Sequence, residues 1–245
     1  MGWGLLPVVI FLVVWEVAAR LSPFSGSLSF PPFSAVVQEF YYLSAEGILG
    51  KSFSSSLLRV VIGFVTGSIA GILMGIVMGW KQVVNRALHP IVSLLYPIPT
   101  LGWLPLLMLW VGINEMLPIT LIFISAFFPV LYNTITGIKS VDKNYIQVAR
   151  TLGASDMKIL GTVVLPLALP NIFTGLRLEA GMVWRVMIAA EMVAIPTGIG
   201  ALMMRAQSLI RIDIIIVCLI VLAVMSFSFE KLFAYMETRL TARWR

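Results

Sequence analysis

Hydrophobic residues fall along this chain in long, nearly unbroken runs rather than in the short alternations of a soluble fold. Runs at 4–21, 57–79, 91–113, 117–138, 172–194 and 210–233 each approach the roughly 20 apolar residues that carry a helix across a bilayer. The pattern predicts an all-α integral membrane protein of about six transmembrane helices, one transmembrane domain over residues 1–245. The first run begins Gly4-Leu5-Leu6-Pro7 with neither a basic leader nor a small-residue cleavage site, so it reads as a retained span. Between the runs, residues 22–56 are rich in Ser, Pro and Gly, with a short helix expected over 34–43. Residues 139–171 form a second polar stretch.

That second stretch has its own pattern. Tyr145, Val148, Ala149 and Leu152 recur at the i, i+3, i+4, i+7 spacing of one helical face. Gly153 follows where a helix end favours positive φ. Ser155 is placed to cap a second helix, in which Leu160, Val163, Val164 and Leu167 share a face and which Pro166 and Pro170 are expected to end. A polar helix–glycine–helix unit between two apolar runs must pack against something outside the lipid. A DNA-binding helix-turn-helix has the same tight turn, but it needs a third helix and a soluble core that the flanking runs do not provide.

Inside the runs, three features depart from plain apolar sequence. Gly63, Gly67, Gly71, Gly75 and Gly79 recur at every fourth position of the second run, a stripe that lets another helix approach closely, within this subunit or across a dimer. Pro97, Pro99 and Pro105 break the third run. A broken helix at membrane depth is tolerated where it lines a cavity or is buried in protein; plain kinking is the alternative. The fifth run carries Arg177, Glu179, Arg185 and Glu191. Ionisable groups at such depth face a bundle interior or a water-filled path. Arg185 lies about 20 Å along its helix at 1.5 Å per residue. It is six positions from Glu191, a poor spacing for a pair on one helix, so each needs a partner elsewhere. Arg185 or Glu191 lining a route through the membrane, and a structural ion network, are the two readings.

Composition agrees with the pattern. Of 245 residues, 60% are hydrophobic and 11% charged, with a mean hydropathy of +1.00, against about 25% charged in soluble domains. The net charge of +6 is dispersed over loops, which suits lipid head groups and argues against nucleic acid as a partner. With both termini in the cytoplasm and six crossings, ten basic residues lie inside: Lys81, Arg86, Lys139, Lys143, Arg150, Lys158, Lys231, Arg239, Arg243 and Arg245. Five lie outside, namely Arg20, Lys51, Arg59, Arg205 and Arg211, so positive charge supports this orientation and puts 139–171 in the cytoplasm. The single Cys218 and single His89 supply no metal ligand set, and no metal is expected. Ala45–Ser52 resembles a phosphate-binding loop but lacks its first Gly and any accompanying strand, so the chain itself is not expected to hydrolyse ATP.

Residues 147–166 carry a family resemblance. Gln147-Val148-Ala149, three residues, Gly153, nine residues, then Val163-Val164-Leu165-Pro166 resembles the Glu-Ala-Ala loop of ABC-importer permeases, with Gln147, Val148 and Val163 as departures. Ser56–Val60, Pro97-Ile98-Pro99, Phe128-Pro129 and Ala190-Glu191-Met192 extend the likeness to the sulfonate, taurine, nitrate and bicarbonate branch. The resemblance implies a type I (MetI-like) permease core in a bacterial inner membrane, working as a homodimer with two cytoplasmic ATPases that bind ATP and Mg, and with an external binding protein. It implies that Gln147, Val148, Ala149, Gly153, Ala154, Ser155, Leu165 and Pro166 couple to the ATPase. It implies no catalytic residue and no cofactor in this chain, and a small, anionic cargo. A self-sufficient secondary transporter or channel is the alternative, which inverted repeats would favour; no internal symmetry is evident.

Overall fold

The computed structural model describes residues 6–21 and 30–241. Gly4, Leu5, Arg243 and Arg245 of the sequence reading lie outside them. The chain is helical: α1 (Leu6–Leu21), α2 (Phe33–Ala45), α3 (Ile48–Trp80), α4 (Gln82–Leu95), α5 (Leu104–Trp110), α6 (Met116–Lys139), α7 (Lys143–Thr151), α8 (Asp156–Ile159), α9 (Leu165–Ala194), α10 (Ile199–Ser208) and α11 (Ile212–Thr241). Among the described residues four unbroken stretches are long and apolar enough to cross a membrane: Ile48–Trp80, Met116–Lys139, Asp156–Ala194 and Ile212–Leu240.

Two of the six predicted crossings differ in form. The third is two helices, α4 and Thr100–Trp110, bent by 87°. Pro97 and Pro99 cannot donate to a helix ladder, and Pro99 itself is extended at φ −54, ψ 132, so the helix stops after α4 although Tyr96 keeps helical angles. Pro105 restarts it at the first turn of α5, where its missing N–H is harmless. The first crossing enters as α1, whose 16 described residues rise about 24 Å at 1.5 Å each, short of a bilayer core of about 30 Å. The second crossing begins nine residues earlier than predicted. Gly47 turns at φ +70, and Gly50-Lys51-Ser52 then form the first turns of α3 rather than a loop.

The chain divides into two compact units. The larger holds Leu58–Ala190 and the chain from Met225 onward. At its centre lies α6. A Cβ on Gly63, Gly67, Gly71, Gly75 or Gly79 would meet atoms of α6 at 2.5–2.9 Å, so the glycine stripe lets α3 rest on α6 backbone within one subunit. Gly137 of α6 and Gly175 of α9 make a reciprocal crossing, closing on Asn171 and Asn133 respectively. Met78, Val92, Leu131 and Ile135 join α3, α4 and α6 in one core cluster. Phe64, Phe229 and Phe233 stack edge to face with centroids 5.1–5.4 Å apart. Opposite the stripe, Leu58, Ile62, Val65, Ile69, Leu73 and Val77 are exposed, an apolar face fitted to lipid.

The smaller unit holds the described residues up to Leu57 with Glu191–Val224. Trp15 donates to the Pro31 carbonyl at 3.2 Å and its ring meets Phe33 at 5.5 Å, tying α1 to α2. Arg211 reaches Glu39 at 2.8 Å and Asp213 at 2.7 Å.

Candidate functional site

Two places in the larger unit carry candidate chemistry. The first is the helix–glycine–helix segment. Asp142 caps α7, its carboxylate accepting from the Asn144 N–H at 2.9 Å. At the other end Gly153 takes φ +79. Its N–H donates to the Arg150 carbonyl at 2.9 Å, and that of Ala154 donates to Ala149 at 3.0 Å. This pair of bonds is a Schellman closure, which satisfies the last carbonyls of a helix and favours glycine at the turn. Ser155 occupies the cap of α8 with extended backbone but makes no side-chain capping bond. Arg150 instead spans the turn to Asp156 at 3.0 Å.

Beyond α8 the sequence expectation fails. Leu160–Val164 form a π-turn that runs directly into α9, and Pro166 and Pro170 lie in a continuing helix instead of ending one. A π-turn adds a residue and displaces the Thr162 carbonyl that the Pro166 ring would otherwise strike. The extra residue also shifts the register. Ile159, Leu160 and Val164 are buried, while Val163 and Leu167 of the predicted face are only half-buried. Leu165 and Pro166, half-buried themselves, open α9.

The outer face of this segment is apolar and bare. Tyr145, Val148, Leu152 and Met157 are exposed, Leu152 to 82%. Gln147, Gly153 and Ser155 are exposed beside them, with Ala149 and Ala154 half-buried. A helix of nine residues with its apolar positions turned outward cannot draw its stability from the subunit's own core.

The second place is a cavity of about 250 Å³ where the α4–α5 break meets α6 and α9. Tyr96, Ile98 and Thr100 line it from the break; Pro97 and Pro99, expected to do so, shape the bend but do not form the wall. From α6 come Ser125 and Phe128, and from α9 come Glu179, Met182 and Arg185. The Ser125 hydroxyl donates to the Glu179 carboxylate. Arg185 also lines a second hollow of about 410 Å³, with Arg177, Ser226, Glu230 and Glu237. There Arg177 lies 3.6 Å from each of Glu230 and Glu237. Among the described residues no carboxylate lies within 4.0 Å of Arg185.

Glu191, grouped with Arg185 by sequence, has other surroundings within the smaller unit. It is wholly buried. Both carboxylate oxygens lie 2.9 Å from the Ser56 hydroxyl, and the Gly200 N–H donates to it at 3.0 Å. The Ile199 N–H donates to Ser56 at 2.9 Å. Glu191 thus sits at the N-terminus of α10, where free N–H groups and the helix dipole favour an anion. Its partners include a helix end and a hydroxyl. Tyr96 was not singled out by sequence reading, and Glu179 was named only among the charges of its run. Glu179 was visible as a charge in an apolar run, but its contact with Ser125 requires the α6–α9 crossing.

Comparison with known proteins agrees with this architecture. Residues 67–242 match the family described as "Binding-protein-dependent transport system inner membrane component". The chain is 34% identical over 237 residues to the taurine transport system permease protein of Escherichia coli, covering 95% of this chain and 86% of that one. It is 32% identical over 240 residues to the nitrate import permease protein of Synechocystis, covering 94% and 86%. In structure it is similar to a chain of a bacterial ABC transporter involved in the import of the acidic polysaccharide alginate. That match has TM-score 0.66 and 18% identity, over 97% of this chain and 94% of the other. A chain of the MetNI methionine ABC transporter aligns with TM-score 0.59 and 16% identity, over 74% and 92%. A helical bundle with a bent third crossing and an outward-facing helix–glycine–helix segment, matched to this family over most of its length, belongs to the inner-membrane permease components of binding-protein-dependent ABC importers.

Proposed function

We propose that this chain forms the translocation route for a small sulfonate-type anion. In this reading two copies pair in the membrane, a binding protein delivers the solute from outside, and two cytoplasmic ATPases drive the cycle. Both termini face the cytoplasm. ATP and Mg are held by the ATPases, and the chain supplies no catalytic group or cofactor.

The observation that carries the reading is the bare apolar face of α7 and α8. Tyr145, Val148, Leu152 and Met157 stand exposed around a glycine turn, on a segment flanked by Lys143, Arg150 and Lys158. Basic flanks belong on the cytoplasmic side. An exposed apolar cluster rimmed by charge is the form of a protein contact, and the ATPase is the partner the family implies. Gln147, Val148, Ala149, Gly153, Ala154 and Ser155 make up the docking knob, and Leu165 and Pro166 begin the helix that receives its motion. Cargo is assigned from the relatives' substrates together with Arg185, a cation in a membrane-depth cavity.

The test is co-purification. Co-expressed with its ATPase, the chain retains that subunit through detergent extraction, and a Val148→Asp, Leu152→Asp double variant releases it without lowering the permease's thermal midpoint. Full retention of the ATPase by the double variant would refute the docking assignment.

A further inference from the structure

Three faces can be told apart on α4. Val84, Leu88 and Val92 pack into the core shared with α3 and α6. Val83, Ile91 and Leu94 form a bare apolar face, 81%, 55% and 74% exposed. A third face holds Gln82, Asn85, Arg86, His89, Ser93 and Tyr96, the last still helical at the C-cap. These six recur at steps of three and four residues, so at about 100° per residue they share an arc of about 100°. Each carries a polar group.

The protein itself leaves this face under-satisfied. Gln82, Arg86 and His89 are exposed. Among the described residues no carboxylate lies within 4.0 Å of Arg86, and the buried Oδ1 of Asn85 has no hydrogen-bond partner. Lipid cannot supply what is missing, because a guanidinium or an unpaired amide oxygen is costly in hydrocarbon. Water can.

The face also leads somewhere. Gln82 adjoins Lys81, one of the basic residues that mark the cytoplasmic side. Ser93 Oγ lies 3.1 Å from His89 Nδ1 and 3.1 Å from the Tyr132 hydroxyl. The Tyr132 ring meets Tyr96 with centroids 4.5 Å apart, and Tyr96 lines the cavity of about 250 Å³. From Gln82 to Tyr96 the stripe climbs about 21 Å at 1.5 Å per residue.

We propose that the polar face of α4 is the wall of a water-filled inner passage that joins this cavity to the cytoplasm, with Tyr96 at its head. The inference deepens the route reading above and rests on it, naming the side chains a solute passes after it leaves the cavity. Asn85, His89 and Ser93 offer the solute hydrogen bonds in place of water. Val83, Ile91 and Leu94, on the other exposed face, lie out of the water.

The test is thiol labelling. Cys218, the sole native cysteine, is buried, so the unaltered chain gives the unreactive baseline. Ser93→Cys and Leu94→Cys are compared in the complete transporter, permease with ATPase and binding protein, in proteoliposomes. A charged, membrane-impermeant methanethiosulfonate is applied from the cytoplasmic side without ATP, and labelling is read on the permease. Exposure alone favours Leu94, which is 74% exposed while Ser93 is half-buried. The passage reverses that order. Ser93→Cys is expected to react at least about tenfold faster, because lipid excludes a charged reagent, and once labelled to lose most ATP-driven uptake of 2-aminoethanesulfonate. Equal rates, or faster reaction at Leu94→Cys, overturn the assignment, as does full uptake by labelled Ser93→Cys. An unreactive Ser93→Cys in a transporter with intact uptake refutes the passage alone. Unaltered transporter without ATP-driven uptake refutes the route reading and the passage with it. If Ser93→Cys does not assemble, His89→Cys and Ile91→Cys make the same comparison, and the same outcomes decide.

Discussion

Replacing Gly67 by alanine adds one methyl group where α3 rests on α6. That carbon would stand 2.5 Å from the Phe123 carbonyl oxygen, 3.0 Å from the Phe123 Cα and 3.1 Å from the Ala126 Cβ. Ordinary contact is about 3.5–4.0 Å, so the helices must part by roughly 1 Å. Two of the three obstructing atoms are backbone and cannot rotate away. A Cβ added at Gly63, Gly71 or Gly75 would stand 2.7, 2.7 or 2.6 Å from α6, so the seam is close along its length and parting at one step loosens dispersion contacts throughout. In lipid those contacts hold the helices together, because no water is expelled between them. Overpacking of this kind costs about 1–3 kcal/mol, against a helix-propensity gain of up to about 1 kcal/mol for alanine over glycine. Gly50 lies in the same helix, and a methyl group added there would meet nothing within 4 Å, so Gly50→Ala collects the gain without the clash. The propensity gain is common to both variants, so they should differ by the clash, about 1–3 kcal/mol, which at about 2–4 °C per kcal/mol is a gap of roughly 2–12 °C. Thermal unfolding in detergent, followed by intrinsic fluorescence, reads it. A Gly67→Ala midpoint equal to or above that of Gly50→Ala would refute the close crossing.

Two further substitutions test the glycines that are constrained by backbone angle. Gly153 has φ +79 with open space around it, so Gly153→Ala loses about 1–2 kcal/mol of local turn stability through the left-handed backbone alone. Gly153→Val adds β-branching, and ATP hydrolysis should then proceed without solute uptake; normal uptake per ATP would count against the turn's role. At Gly198, φ is +105 and an added Cβ would strike the Glu191 carboxylate. Gly198→Ala should therefore displace Glu191 from α10, lowering the unfolding midpoint by more than Gly50→Ala raises it, and an unchanged midpoint would show that the Ser56–Glu191 contact is dispensable.

The apolar runs were legible because a membrane leaves helices few alternatives, and the period-four glycines were legible because only a packing seam explains them. Sequence left open what that seam faces, since a stripe looks the same whether its partner is α6 or a second copy. Gly137 and Gly175 were not legible as a pair: each is a lone glycine until the helices cross. Proline misled at Pro166 because the rule that it stops a helix assumes an α-helical register, which the π-turn over Leu160–Val164 suspends; Pro170 sits inside α9 beyond the turn. The early start of α3 was missed because Ser52, Ser54, Ser55 and Ser56 look like loop composition. Such hydroxyls can be absorbed inside the helix, as when Ser54 donates to the Gly50 carbonyl at 2.8 Å. Glu191 was read correctly as needing a partner, but backbone N–H groups leave no trace in a sequence.

The absence of a stop at Pro166 and Pro170 matters for transmission. From Asp156 to Ala194 the chain is a single unbroken stretch, so the exposed turn at Gly153 adjoins a rod that carries Glu179 and Arg185. Arg185 lies 29 residues past Asp156, about 44 Å along the rod at 1.5 Å per residue, and no loop intervenes to absorb displacement. The rod's stiffness should therefore set how much solute moves per ATP. Thr174→Gly with Leu178→Gly, both at exposed positions of α9, softens it by about 1 kcal/mol per site relative to alanine. ATPase docking should survive while uptake per ATP falls several-fold. Thr174→Ala with Leu178→Ala removes the same side chains but keeps the helix stiff, and should retain most of the coupling. Equal coupling in the glycine and alanine pairs would mean that motion reaches Arg185 by another path, through the α6–α9 crossing at Gly137 and Gly175 rather than along α9.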